Sequence, residues 1–281
     1  MHPFESDHPL STHSPSSTES CQAADSARPH VALFVTCLVD LMRPTVGFAA
    51  IRLLERAGYR VSVPMGQSCC GQPAYNSGDR RSACAIARQT IAAFSGFDHV
   101  VAPSGSCAAM LRLHYPTLFE GDDVWASRAR ELAGRTHELT SFLTNVRGQT
   151  AVDARYAGTV AYHDGCSGLR ELGISEQPRA LLRRVGGLKI KETQRPEACC
   201  GFGGMFCVKY PRISERIVDD KLDDLAGSGA GTVLGGEMGC LLNIAGRMTR
   251  RGLAIRVRHV AEVLAGMTDG PAIGERPGSG A

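Results

Sequence analysis

Two copies of one cysteine frame constrain this chain more than anything else in it. Cys37 is followed after 31 residues by Cys69-Cys70-Gly71 and after 36 more by Cys107; Cys166 is followed after 32 by Cys199-Cys200-Gly201 and after 39 more by Cys240. Eight of the eleven cysteines therefore fall into two matching sets of four. Burial of single cysteines as small apolar residues predicts no such repeat. The chain must fold as an internal duplication in which residues distant in sequence meet twice.

The hydrophobic pattern repeats with the cysteines. Val31-Ala-Leu-Phe-Val35 reads as a strand just before Cys37. A helical stripe of Val46, Ala50, Leu53, Leu54 and Ala57 follows and ends at Gly58. Arg60 to Val63 reads as a second strand before the Cys-Cys-Gly turn, Asp79 to Phe94 as a helix, and His99 to Ala102 as a third strand before Cys107. Gly158 to Tyr162, Leu188 to Ile190 and Gly231 to Leu234 take the same places in the second half. This alternation predicts an α/β fold of two similar, doubly wound parallel-sheet halves. Each cysteine group then lies past the carboxyl end of a strand, where open α/β sheets bind ligands. The expected layout is a disordered tail (1–28), a first cysteine-rich domain (29–120), a helical connector (121–157), a second cysteine-rich domain (158–267) and a flexible tail (268–281). His259 reads as an N-terminal cap or a core contact of the last helix rather than as a ligand.

Composition narrows the chemistry. The first 28 residues lack the apolar core of a secretory signal, and no run approaches the roughly 18 apolar residues of a membrane span. A cytoplasmic location follows, where structural disulfides are disfavoured and clustered cysteines point to metal or redox work. The net charge of +3 is spread without a basic stripe, which speaks against nucleic acid.

Four thiolates per half suit an iron–sulfur cubane. Adjacent cysteines cannot face one point from a regular strand, whose side chains alternate, but they can from a turn, and Gly71 and Gly201 permit the positive φ such a turn needs. Zinc is the competing metal, although its structural sites space their cysteines as pairs separated by two to four residues. A vicinal disulfide at Cys69-Cys70 leaves Cys37 and Cys107 without a role. His163 and Asp164, just before Cys166, read either as donors behind a cluster's ligands or as a satisfied strand-end pair. Cys84 and Cys207 read as packing residues, and Cys21 falls in the tail. No glycine-rich dinucleotide fingerprint is present. A substrate carboxylate would need a cation, for which Arg43, Arg80 and Arg170 are the candidates near the cysteine turns.

The frames resemble the cysteine-rich CCG domain found in heterodisulfide reductases and in the iron–sulfur subunit of glycolate oxidase. Thr36-Cys-Leu-Val-Asp40, Cys69-Cys-Gly-Gln-Pro-Ala-Tyr-Asn-Ser-Gly78, Pro103-Ser-Gly-Ser-Cys107, Cys199-Cys-Gly-Phe-Gly-Gly204, Gly239-Cys-Leu-Leu-Asn243 and His259-Val-Ala-Glu-Val-Leu264 are similar, more closely, to the lactate-utilisation protein A family. That resemblance implies an iron–sulfur electron-transfer subunit of a cytosolic complex that oxidises L-lactate to pyruvate. Its partners would be a ferredoxin-like iron–sulfur subunit and a third small subunit. It also implies one or two clusters of the [4Fe-4S] type, with Cys37, Cys69, Cys70 and Cys107, then Cys166, Cys199, Cys200 and Cys240, as ligands. No catalytic residue is implied. The alternatives are the iron–sulfur subunit of a glycolate or D-lactate flavoenzyme, or a heterodisulfide-reductase-like thiol/disulfide reductase. Met110 and Asn243 stand where reductase relatives often have a further cysteine, and Met238 also departs from the pattern.

Overall fold

The computed structural model describes residues 28–148 and 151–275; Cys21 and the outer parts of both terminal tails lie outside the described residues. In the first half, β1 (His30–Leu33), β2 (Arg60–Ser62), β3 (His99–Ala102) and β4 (Thr136–Glu138) form one sheet in the order β2-β1-β3-β4. In the second, β5 (Arg155–His163), β6 (Gly186–Ile190), β7 (Thr232–Gly235) and β8 (Arg256–His259) repeat it as β6-β5-β7-β8. Every strand pairing in both sheets is parallel. The fold is α/β, in two similar doubly wound halves. Strand order reverses beside β1 and beside β5, so each sheet opens a crevice at its carboxyl end there.

Local sequence accounts for the supporting helices. Pro44–Arg56 starts with proline in its first turn and buries Val46, Ala50, Leu53 and Leu54 on one face. Asp79 caps Arg80–Ala93 by accepting from the Ser82 N–H at 3.0 Å. His259 caps the helix Val260–Leu264, its Nδ1 accepting from the Ala261 N–H at 3.2 Å while Glu262 reaches back to the His259 N–H.

Three segments differ from the sequence expectation. The stretch expected to be a helical connector holds the helix Asp123–Gly134, but then supplies edge strand β4, which pairs with β3. Three residues carry too little alternation to betray a strand. The helix Pro211–Gly227 has no counterpart in that expectation; its buried face includes Ser214 and Lys221 as well as Val218, Leu222 and Leu225, and the polar members interrupt the apolar stripe. Within the stretch expected to be a flexible tail, the Ile273 N–H donates to the Val257 carbonyl at 2.8 Å, and the Gly270 and Pro271 carbonyls accept from Arg258 and Arg43.

The halves share a core. Leu33, Val39 and Leu53 of the first belong to the same buried cluster as Val160, Leu241 and Val263 of the second. A smaller cluster behind the first sheet holds Phe34, Phe94, Cys70 and Cys107. At the seam, buried Glu262 accepts from Arg43 Nε at 2.8 Å and from Thr45 Oγ1 at 2.6 Å. Closer to the site, the helices Gly105–Ala109 and Cys166–Arg170 cross so tightly that a Cβ on Gly105 would lie 2.8 Å from the Gly168 Cα.

Burial holds His137 neutral, with its pKa lowered from 6.5 to about 4. The folded state resists this proton while the unfolded chain takes it, so stability falls as pH drops from about 6.5 towards about 4 and not above that window. Replacing His137 by Phe, which suits its aromatic neighbours Phe142 and His99, should reduce the loss of melting temperature between pH 7 and pH 5. An unchanged slope would refute this account.

Candidate metal centre

The three ligand segments of each half leave three adjacent strands on one side of the sheet. Cys37 and Cys166, beyond the central strands β1 and β5, are the first residues of short helices (Cys37–Met42 and Cys166–Arg170). Cys107 and Cys240 are each the third residue of their helices, Gly105–Ala109 and Met238–Arg250, and so lie within the positive end of the helix rather than ahead of it. Between them come the Cys-Cys-Gly turns after β2 and β6.

These turns are built alike. Gly71 has φ +83° and Gly201 φ +76°, the left-handed conformation that turns two consecutive cysteines to one side. The Gly71 N–H donates to Cys69 Sγ at 3.4 Å and the Gly201 N–H to Cys199 Sγ at 3.3 Å. The helical segment after the last cysteine holds each turn from behind. Tyr115 Oη–H donates to the Cys70 carbonyl at 2.9 Å, and Asn243 Nδ2 donates to the Cys200 carbonyl at 2.8 Å. Asn243, at one of the positions where reductase relatives have a cysteine, is thus a clamp on the turn. The loop before Cys199 is pinned further: buried Lys221 Nζ donates to the Arg195 carbonyl at 3.0 Å, and Asp224 accepts from the Gln194 and Arg195 N–H groups, each at 3.0 Å.

The result is a single cavity of about 350 Å³ lined by all eight frame cysteines, with Ser104, Ser106, Phe202 and Met238 among its other walls. Within each set the sulfurs form a chain of contacts. Cys69 interacts electrostatically with Cys37 and Cys70, and Cys70 with Cys107; Cys199 interacts likewise with Cys166 and Cys200, and Cys200 Sγ lies 2.7 Å from Cys240 Sγ. In each half two of these cysteines are buried (Cys70 and Cys107; Cys200 and Cys240) and two are half-buried (Cys37 and Cys69; Cys166 and Cys199).

Charge is distributed unevenly over these thiols. Hydrogen bonds donated by Cys37 and Cys70 lower the Cys69 thiol to about 2, and those from Cys166 and Cys200 do the same for Cys199. Acting as donors and desolvated, Cys37, Cys70, Cys166 and Cys200 are pushed up. One thiolate per set is favoured, and further ionisation needs positive charge among the sulfurs. Bound metal supplies it. Four soft donors converging on a largely buried point, with an N–H···S bond at each turn, fit cysteine-bound metal or a metal cluster.

Other residues singled out in the sequence have different work. Asp164 is not a donor to the cysteines: its carboxylate makes a bidentate pair with Arg179 at 2.8 and 2.8 Å, buried on both sides. His163 is fully buried, and its ring lies with Cys200 and Cys240 such that one ligand atom from each falls within 4.8 Å of the others. Arg43 bonds Glu262 and Pro271, Arg80 bonds the Thr117 and Leu118 carbonyls, Arg170 bonds the Glu197 carbonyl, and none of the three lines the cavity. Cys84 and Cys207 donate weakly to the Leu118 and Gly204 carbonyls; neither lines the cavity, although Gly204 does.

Two contributors carry no signal in the sequence. Thr36, before Cys37, has φ +74°, alone among described non-glycine residues, and such strain collects at functional sites. Glu237 crosses between the halves, accepting from the Ser106 N–H at 2.8 Å and from Ser104 Oγ–H, and so ties the segment of Cys240 to that of Cys107. Full burial pushes its carboxyl up.

Comparison with known proteins accords with this geometry. A cysteine-rich domain family, CCG, matches residues 31–112 and again 160–245. Lactate utilization protein A 2 of Bacillus cereus (strain Q1) is 46% identical over 235 residues, covering 84% of this chain and 97% of that protein. Lactate utilization protein A of Bacillus cytotoxicus is 47% identical over 234 residues, covering 83% and 98%. The chain belongs to the lactate utilization protein A family, with two CCG domains. Its fold also resembles a crystal structure of a hypothetical protein from Helicobacter pylori, at TM-score 0.58 and 9% identity, over 85% of this chain and 49% of that one. This chain spans about half the length of that protein, and the likeness concerns fold alone.

The turn glycines give a graded test. A Cβ at residue 201 would lie 2.6 Å from the Ser214 carbonyl oxygen, whereas at residue 71 it meets the Ile86 side chain at 3.3 Å. Both Gly→Ala variants carry the strain of a left-handed alanine, about 1–3 kcal/mol. G201A should therefore be the less stable of the two in denaturant titration, and equal losses would contradict the packing described.

Proposed function

We propose that this chain is the iron–sulfur electron-transfer subunit of a complex that oxidises L-lactate to pyruvate. The observation that carries the reading is the pair of four-cysteine sets lining one cavity, in a member of a family whose relatives are named for lactate utilization. Cys37, Cys69, Cys70 and Cys107 would hold one [4Fe-4S] cluster, and Cys166, Cys199, Cys200 and Cys240 a second. Bound clusters would supply one-electron storage. The protein's part is to hold the thiolates, donate N–H···S bonds from Gly71 and Gly201, and keep most water away with Phe202, Met238 and the seam between the halves.

Division of the cysteines into buried and half-buried pairs supports a transfer role. The buried pairs insulate each centre, while Cys37, Cys69, Cys166 and Cys199 offer a route to a partner's redox centre. A ferredoxin-like iron–sulfur subunit and a third small subunit would be those partners. The candidate arginines are engaged elsewhere, which favours lactate binding on another subunit. Among the described residues no helix is long and apolar enough to cross a membrane. Met110 is buried in the core and Asn243 clamps Cys200, so neither position serves the fifth thiolate that a disulfide reductase of the related type would use.

Protein purified without oxygen should be brown and contain about eight irons with matching acid-labile sulfide, four for each set of four cysteines. C70S or C200S should lower iron by up to half, since serine is a harder and poorer ligand, while C84S should leave it unchanged. The isolated chain should not reduce an artificial acceptor with lactate. Colourless protein holding stoichiometric zinc would overturn the electron-transfer reading, and robust lactate turnover by the chain alone would overturn the division of labour.

A further inference from the structure

The two halves repeat one another closely, so a residue that breaks the repeat beside the sulfurs is informative. Three residues before the first cysteine, the first half has Phe34 and the second has His163. Both follow or end the central strand, and both are fully buried. Phe34 shares an apolar cluster with Cys70 and Cys107 and packs on Phe94 at 5.4 Å between centroids. His163 takes the same place beside Cys200 and Cys240, within 4.8 Å.

Neither ring nitrogen of His163 has a hydrogen-bond partner in the protein. A buried imidazole carries one N–H donor and one lone pair, and leaving both unused is costly. Besides the cysteines, the ionisable group that faces it is Lys221, which is occupied with the Arg195 carbonyl and Asp224. The sulfurs of Cys200 and Cys240 lie close to the ring, with one ligand atom from each residue within 4.8 Å of the others, but make no hydrogen bond with it in this structure.

We propose that His163 donates its ring N–H to the sulfurs of the second site, and that this makes the second cluster the better electron acceptor of the two. The proposal rests on the cluster reading above and adds a direction to it. Reduction by one electron places extra negative charge on the sulfurs, and an N–H donor stabilises the more negative state; Phe34 has no donor to offer the first site. One electron arriving from a one-electron carrier leaves that carrier oxidised and comes to rest on the second site. His163 is a positioning and tuning residue. The four cysteines already complete the ligand set.

Anaerobic redox titration followed by electron paramagnetic resonance, with iron and sulfide analysis of the same samples, tests this. The wild-type chain should reduce in two steps. H163F, which copies Phe34, should keep its iron but shift the higher step down about tenfold in the one-electron equilibrium, about 59 mV. H163Q, which retains an N–H donor, should recover much of the shift, and F34H should raise the lower step. Full iron with potentials indifferent to H163F would overturn the proposal and leave the cluster reading standing. Loss of iron in H163F, with strong nitrogen hyperfine coupling in the wild type, would make His163 a ligand and also overturn it. Wild-type protein without iron and sulfide would sink the cluster reading and this proposal together.

Discussion

Everything at this site depends on turning two consecutive side chains to the same side of the backbone. A strand sends neighbours to opposite faces, so a Cys-Cys pair becomes bidentate only where the chain leaves the sheet. The left-handed glycines at 71 and 201 make that departure, and their N–H groups bond the first sulfur of each pair. The strand order follows from the same need. With the first strand of each half between the second and third, three loops distant in sequence open onto one crevice, and the single cysteines at 37, 107, 166 and 240 reach the pair.

Each turn is then held from outside the sheet. Tyr115 and Asn243 bond the carbonyl of the second cysteine, by side chains of different length from different helical positions. The halves solved one geometric problem twice with unlike residues. Between them, the Gly105–Gly168 crossing and the Glu237 bridge bring both sets of sulfurs into one cavity. Two separate domains on a mobile linker would not keep such a shared chamber; a continuous core across the seam does.

The polar groups around the cavity divide by what satisfies them. Asp164 and Arg179 neutralise each other, Lys221 is consumed by loop carbonyls and Asp224, and Glu262 binds Arg43. These pairs fix loops and seams. His163 has no such partner, which is why it stands apart chemically from Asp164 beside it, although the two look equivalent as sequence neighbours.

From sequence alone, the duplicated frame was enough to identify an α/β repeat with cysteine groups at strand ends, because strands, turns and helix stripes are local patterns of a few residues. The capping by His259 and the need for glycine after each cysteine pair were legible for the same reason. Edge strand β4, the polar-faced helix Pro211–Gly227 and the anchored residues 270–273 were not, because short pairings and buried charges acquire meaning only from what packs on them. Only the tertiary structure decided that both sets of cysteines share one cavity, that Asp164 belongs to Arg179, and that Glu237 links the halves. Those facts depend on side chains far apart in the chain meeting at close range, and no spacing of residues encodes such a meeting.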